Sequence, residues 1–377
     1  MTQKVPAQTL AMLVHRGLVS AEAAKSAIRA EDPFEHLVSV CGIDRAALEA
    51  WIATEGNTRP ILTRYELRER LGEGGQAFVY HATDRMRADG DPEDVALKIL
   101  KPELAKNPRS LKAFVHEAKQ LIELSNGEGH PNVVRGFRVA KEQTPAGPVY
   151  FCAMERIDGE CLQETIEREG RLDEEQALRI VREMALALEH LRASGLVHRD
   201  VKPANVMWVA PDEDGPGRAV LIDLGFAMSS GVGDDSETTA GTVHYISPEQ
   251  ARADGELDVR ADIYSLGATL YHLVTGSLPF SGSTSDDVLR KQVLESLSGE
   301  RIRELDLSPQ LHYFIEKMMA KEREIRFQDP AELATAIDKF LSQRERERED
   351  EQGSTGLSRL GERRASRTMG NRRRRRR

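Results

Sequence analysis

The chain has 377 residues, 40% hydrophobic and 31% charged, with a formal net charge of −9. That balance fits a soluble globular protein and excludes a wholly disordered chain, and no run approaches the roughly eighteen apolar residues that a membrane helix needs. The opening stretch lacks the apolar core of a secretion signal, because Leu10–Val14 is followed at once by His15 and Arg16. A cytoplasmic chain with no transmembrane anchor is expected. Charge is unevenly spread: from Leu341 onward thirteen Arg face six Asp and Glu, a surplus of seven positive charges, so the 340 residues before it carry −16. Cys41, Cys152 and Cys161 are odd in number and lack metal-ligand spacing, so small buried side chains in a reducing compartment are expected.

In chain order, residues 1–58 pattern as a small module of three or four helices. Gly17 can stop a first helix, Ser20 can cap a second, Asp32-Pro33 breaks before a third, and Asp44 precedes Ala46-Ala47-Leu48 and Trp51-Ile52 at helical spacing. The body, residues 65–341, begins with short β-rich runs at Tyr65–Leu71, Ala77–Ala82 and Val95–Leu100. Ser110 then caps a helix with Phe114, Ala118 and Leu121 on one face, and a strand at Val149–Met154 follows the turn Thr144–Pro148. After Gly159 the period becomes helical: a helix starts at Asp173 and stops at Gly195, and others are expected over Asp262–Thr275 and Leu311–Ala320. Strands first and helices afterwards predict an α+β body in two lobes. The segment 342–377 begins as Arg-Glu repeats, expected to extend the last helix by a turn or two, and continues as a mostly disordered Arg-rich tail.

Several groups of residues carry chemistry. Leu71-Gly72-Glu73-Gly74-Gly75-Gln76-Ala77-Phe78-Val79 joins two predicted strands, where small residues let backbone N–H groups approach phosphate; a plain hairpin turn reads equally well. Neither the Gly-Lys-Ser/Thr of a P-loop nor the immediate helix of a dinucleotide fold follows. Lys98 emerges from the apolar strand Val95–Leu100 and needs a partner, for which Glu117, three from Phe114 and four from Leu121, is placed. Asp200, Lys202 and Asn205 follow the Gly195 helix stop, and Asp223 follows the short strand Ala219–Ile222. An ordinary polar turn is the plainer reading of Asp-x-Lys-Pro. Two short strands ending near a carboxylate and an amide also bring oxygen ligands together, which suits magnesium. Asp200 would then orient or accept a hydroxyl proton, Lys202 neutralise phosphate charge, and Asn205 and Asp223 hold the metal. His198 reads as a packed structural histidine.

These residues in this order resemble the protein kinase family, from about Tyr65 to Phe340. The resemblance rests on the glycine loop, Val95-Ala96-Leu97-Lys98, Glu117, His198-Arg199-Asp200 through Asn205, and Asp223-Leu224-Gly225. It also rests on Ser247-Pro248-Glu249, Asp262 through Gly267, and Arg326. Within the family the chain is most similar to bacterial Hanks-type serine/threonine kinases. The resemblance implies a two-lobed fold, with a β-rich N-lobe and a helical C-lobe, and transfer of the ATP γ-phosphate to Ser or Thr hydroxyls of protein substrates. ATP and Mg2+ are the implied cofactors. It implies that Lys98 binds the α- and β-phosphates while pairing with Glu117, that Asp200 is the catalytic base, and that Met154-Glu155-Arg156-Ile157 is the hinge holding adenine. Lys202 and Thr242 imply the Ser/Thr branch. Ala77 departs from the family's third loop glycine, where its Cβ would stiffen or misplace the loop. Leu224 replaces Phe and Ser247 replaces Ala.

Arg199 implies pairing with a phosphorylated activation loop, Phe226 to Tyr245, with autophosphorylation expected at Thr238 or Thr239. The terminal arginines suit an acidic protein, nucleic acid or anionic surface, against the plainer reading of a solvated tail, and Ser366 follows a basic motif that kinases modify. A non-catalytic scaffold on the same fold stands as the alternative, disfavoured because Lys98, Glu117, Asp200, Asn205 and Asp223 are all retained.

Overall fold

The computed structural model describes residues 10, 13–14, 19–30, 32–43, 45, 62–87, 92–127, 129–144, 147–211, 217–224, 228–229, 242–253, 256–297, 304–305 and 307–349. They divide into two units, one holding the residues up to Asp158 with Asp223 and Leu224, the other Gly159–Ile222 with the residues from Met228 onward.

The first unit opens with two short helices, α1 (Ala21–Arg29) and α2 (Pro33–Cys41). Each begins where a side-chain oxygen satisfies an orphan N–H: Ser20 Oγ accepts from Ala23 at 3.1 Å, and Asp32 Oδ1 from Glu35 at 3.0 Å. Leu10, Leu13, Val19, Ala24, Ala27, Phe34 and Leu37 bury one another in a core of their own. The expected stop at Gly17 and the helix through Trp51 lie outside the described residues.

Five antiparallel strands follow, β1 (Tyr65–Glu73), β2 (Ala77–Asp84), β3 (Asp94–Leu100), β4 (Gly136–Thr144) and β5 (Gly147–Glu155), ordered β1-β2-β3-β5-β4. Tyr65, Leu67, Tyr80, Leu97, Ile99 and Phe151 pack its apolar side, with Leu62 added from before the first strand. Strand β4 has no counterpart in the sequence reading. It is an edge strand burying only its terminal residues, so its interior lacks the apolar alternation that marks a strand. The intervening helix α3 (Pro108–Leu124) starts earlier than expected. Asn107, not Ser110, caps it, with Oδ1 accepting from Arg109 N at 2.9 Å, because Pro108 at the first helical position needs no partner for an N–H. Phe114, Ala118 and Leu121 are buried as their spacing predicts.

The second unit contains β6 (Glu160–Cys161), α4 (Leu162–Glu169), α5 (Glu174–Ala193), β7 (Leu196–Val197), β8 (Val206–Val209), β9 (Arg218–Leu221) and β10 (Met228–Ser229). Then come α6 (Pro248–Arg252), α7 (Val259–Thr275), α8 (Ser285–Leu294), α9 (Pro309–Met318) and a helix α10 over residues 330–349. Helix α7 is buried on every side apart from Arg260, the pattern of a central core helix. Gly267 permits that crowding, since a Cβ there would stand 2.7 Å from Met318 Cβ. The Arg-Glu run continues α10 alongside α5, where Arg182 meets Asp338 at 2.9 Å, Arg179 meets Glu345 at 3.0 Å and Arg348 meets Glu175 at 2.7 Å. An antiparallel sheet in one unit and a helical body in the other make the α+β class expected from the sequence. Among the described residues no helix is long and apolar enough to cross a membrane.

Candidate active site

In the first unit, β1 ends through Leu71, Gly72 and Glu73, and β2 begins with Ala77, Phe78 and Val79. Gly74 N donates to Ala77 O at 2.9 Å, closing the turn through Gly75 and Gln76. Lys101 braces the base of this turn: its Nζ lies 3.0 Å from Glu73 Oε1 and 5.1 Å from the centre of the Phe78 ring. A Cβ added at Gly72 or Gly75 would meet open space, and neither has a positive φ. Nothing inside the protein therefore requires glycine at these two positions.

Lys98 stands on β3 opposite Val79 and Cys152. Its Nζ donates to Glu117 Oε1 at 2.6 Å and to Asp223 Oδ1 at 3.0 Å. Burial alone would push this ammonium down, but the Asp223 and Glu117 carboxylates outweigh it and hold Lys98 above the ordinary lysine range. Burial lifts the Glu117 carboxyl above the usual carboxylate range, with the Lys98 ammonium opposing and the Asp223 charge adding. The Lys98–Glu117 pairing expected from helical spacing is thus present. Contact of Lys98 with Asp223, 125 residues on, had no local signal. Glu155 closes β5, and its N–H is committed to Arg135 O at 2.8 Å; Ile157 follows just beyond the strand end. Cys152, beside Lys98 in the sheet, is a free thiol pushed up to about 12 by burial.

In the second unit, residues 198–205 are pinned from beneath by α7. Both carboxylate oxygens of Asp262, 1% exposed, are used: Oδ2 accepts from His198 N at 2.8 Å and Oδ1 from Arg199 N at 2.7 Å. This holds Arg199 in the left-handed region, φ +70°, which costs a side-chain-bearing residue about 1–2 kcal/mol. His198 is wholly buried, and its Nδ1 accepts from Asp200 N at 3.2 Å. The Asp200 carboxylate is then gripped from two directions. Lys202 Nζ donates to Oδ1 at 3.0 Å and Oδ2 at 2.7 Å, while Asn205 Nδ2 donates to Oδ2 at 3.0 Å and to Asp200 O at 2.8 Å. The β8–β9 hairpin carries this segment onward, with Ile222 N donating to Asn205 O at 3.0 Å just before Asp223.

Asp262 stood out in the sequence only as part of a motif, and its double acceptor role is a feature of the folded chain. The same holds for Glu249 and Arg326, which meet in a buried two-pronged pair at 2.7 and 2.9 Å. Thr238, Thr239 and Gly225 lie outside the described residues, as does Ser366.

The protein kinase domain family matches residues 65–337. Among curated relatives, serine/threonine-protein kinase PknB of Mycobacterium tuberculosis is 36% identical over 274 residues, covering 72% of this chain and 42% of that protein. A probable serine/threonine-protein kinase of Clostridium perfringens is 34% identical over 277 residues, covering 74% of this chain and 38% of the relative. Another, from Streptomyces coelicolor, is 32% identical over 282 residues, covering 74% and 40%. The chain spans less than half the length of these relatives. A family match over most of the chain, on a scaffold that gathers Lys98, Glu117 and Asp223 in one unit and Asp200, Lys202 and Asn205 in the other, shows that the chain belongs to the protein kinase family, in its bacterial Hanks-type branch.

Proposed function

We propose that this chain transfers the γ-phosphate of ATP to serine or threonine hydroxyls of protein substrates. The observation that carries the reading is the Asp200 carboxylate, fixed by Lys202 and Asn205 so that it can orient an acceptor hydroxyl and take its proton. As that hydroxyl oxygen bonds to phosphorus, the bond to the leaving diphosphate oxygen breaks, and the Lys202 ammonium offsets the charge that develops.

ATP and Mg2+ are the family's cofactors, the one supplying the phosphoryl group and the other neutralising charge on it. The residues present fit both. Open space over Gly72 and Gly75 lets phosphate oxygens approach the backbone there, and Leu71, 47% exposed, presents an apolar side chain beside the same loop. Lys98, held charged, suits the α- and β-phosphates. In the second unit Asn205 gives its amide hydrogens to Asp200, which leaves Oδ1 as an oxygen that could face a metal, and in the first unit Asp223 carries a carboxylate suited to the same task. Mg2+ takes few protein oxygens and completes its shell with phosphate and water.

The test is labelled ATP with a generic protein acceptor. Asp200→Asn should lower incorporation by about 10²–10⁴-fold; equal incorporation by variant and wild type would leave the scaffold reading standing. The same labelled chain, digested, should carry phosphate at Thr238 or Thr239, the basis for proposing control through Arg199. Free thiols at Cys152 and Cys161 support a cytoplasmic setting, which blocked thiols in protein isolated from cells would overturn. Charge alone supports docking of segment 342–377 on acidic protein, nucleic acid or an anionic surface. Truncation that leaves such binding unchanged removes that proposal.

A further inference from the structure

A buried chain of hydrogen bonds in the second unit ends on His244. Gln292, on α8 and wholly buried, donates through Nε2 to His244 O at 2.7 Å and to Val243 O at 3.4 Å. Its Oε1 accepts from the Tyr264 hydroxyl of α7 at 2.5 Å. Lys321, just beyond α9, donates through Nζ to Gln292 O at 2.7 Å and to Tyr264 Oη at 3.1 Å. Because an ammonium only donates and a carbonyl only accepts, the direction of every bond is fixed: Lys321 to Tyr264, Tyr264 to Gln292, Gln292 to His244.

A second arm starts from the same lysine. The Lys321 ammonium lies 4.4 Å from the centre of the Phe280 ring, and Phe280 O is 3.1 Å from His244 Nδ1. The backbone of His244 is therefore held through Gln292 and its ring through Phe280, with Lys321 against both. Lys321 is itself anchored. All five N–H groups of Arg326 are used, two of them on Glu249 and one on Lys321 O at 3.0 Å.

His244 is one wall of a cavity of about 810 Å³ that also touches Lys202, Ala204, Tyr245, His272 and Ser277. Lys202 and Ala204 belong to the segment that presents Asp200, so this cavity adjoins the place where an acceptor hydroxyl must come. We propose that Gln292, Tyr264 and Lys321 are positioning residues that set His244 and thereby the peptide-binding wall of this cavity. The inference rests on the kinase reading. It assigns a substrate-binding role to three side chains that touch neither nucleotide residues nor Asp200. Two features argue against simple packing. Apolar side chains would fill the same space without burying Gln292 and Tyr264 and half-burying Lys321, and the bonds from Gln292 converge on two backbone carbonyls of one short segment.

The experiment uses the full chain and a serine peptide that the wild type phosphorylates. Gln292→Glu keeps the acceptor for Tyr264 and the shape, and removes the donation to His244. Lys321→Met keeps the stem against Phe280 and removes the ammonium. Each should raise KM for the peptide by about tenfold, the scale of one lost internal hydrogen bond, with KM for ATP and peptide-independent ATP hydrolysis within about twofold of wild type. Unchanged peptide KM, or equal losses in peptide and ATP KM, in a folded variant overturns the positioning role. Should Gln292→Glu fail to fold, Lys321→Met decides by the same readouts. A wild type that hydrolyses no ATP and labels no peptide defeats the kinase reading instead, and so separates the two failures.

Discussion

The methyl group of Ala77 occupies the first position of β2, opposite Leu100, and is 3% exposed. From the sequence alone, this departure from glycine is expected to misplace the phosphate loop. Its buried side chain points to a different consequence, since the bond that closes the loop, Gly74 N to Ala77 O, uses backbone only. Ala77→Gly should lower stability by about 1–2 kcal/mol, from one lost buried methyl and a freer strand residue, and so lower the unfolding temperature by a few degrees. KM for ATP should stay within about twofold. Thermal unfolding and an ATP titration check both halves, and a faster enzyme with unchanged stability would restore the misplaced-loop account. At this scale the contacts of the candidate site were legible wherever one residue type is demanded by the proposed chemistry and lies in a short motif, as for Lys98, Asp200 and Asn205. Gln292 and Lys321 gave no such signal, because each side chain acquires meaning from partners 28 to 57 residues away.

Elements were readable in proportion to how strongly their own residues alternate. The interior of β3, Val95 to Leu100, is buried apart from Lys98, and its limits agree with the expected run to within one residue. Edge strand β4 and the polar helices α4 and α8 bury too few residues to announce themselves, so pairing and packing by neighbours define them. The junction of α7, α8 and the loop after α9 illustrates what such late contacts cost. Burial, reinforced by Arg326 and Arg252, pulls the Lys321 ammonium down to about 8 from 10.5, with Glu295 and Glu322 opposing. A lysine whose pKa is depressed by folding is more readily deprotonated in the native state than in the unfolded one. Between about 8 and 10.5 the unfolded chain therefore binds more protons, and its contribution to stability rises with pH across that window. The difference in unfolding temperature between wild type and Lys321→Met should accordingly shift in favour of the wild type as pH is raised through 8. A difference that stays flat or falls would place the ammonium in a better-solvated setting than its contacts with Tyr264, Phe280 and Gln292 allow.

For the whole molecule, the decisive feature is where one core stops and another begins. The α1–α2 module buries its apolar residues among residues 10–43, whereas the sheet core takes in Leu62, 2% exposed, three residues ahead of β1. Thr63 Oγ1 donates to Glu142 Oε1 at 2.7 Å, and Arg64 clasps Asp84 through Nε at 2.8 Å and a terminal nitrogen at 2.7 Å. The sequence boundary at Tyr65 cuts through this set, because Leu62, Thr63 and Arg64 lie outside any strand and show no periodicity of their own. Two truncations separate the possibilities. A chain beginning at Leu62 keeps every residue of the sheet core found among the described residues and should unfold within about 2 °C of the full chain, with phosphate transfer to a generic acceptor intact. A chain beginning at Tyr65 loses about 1.5–3 kcal/mol from Leu62 alone, and should unfold several degrees lower. Equal unfolding temperatures for the two would mean that Leu62 and the Arg64–Asp84 pair add nothing. A drop already present in the longer truncation product would mean that the α1–α2 module supports the sheet, against the separation of their cores.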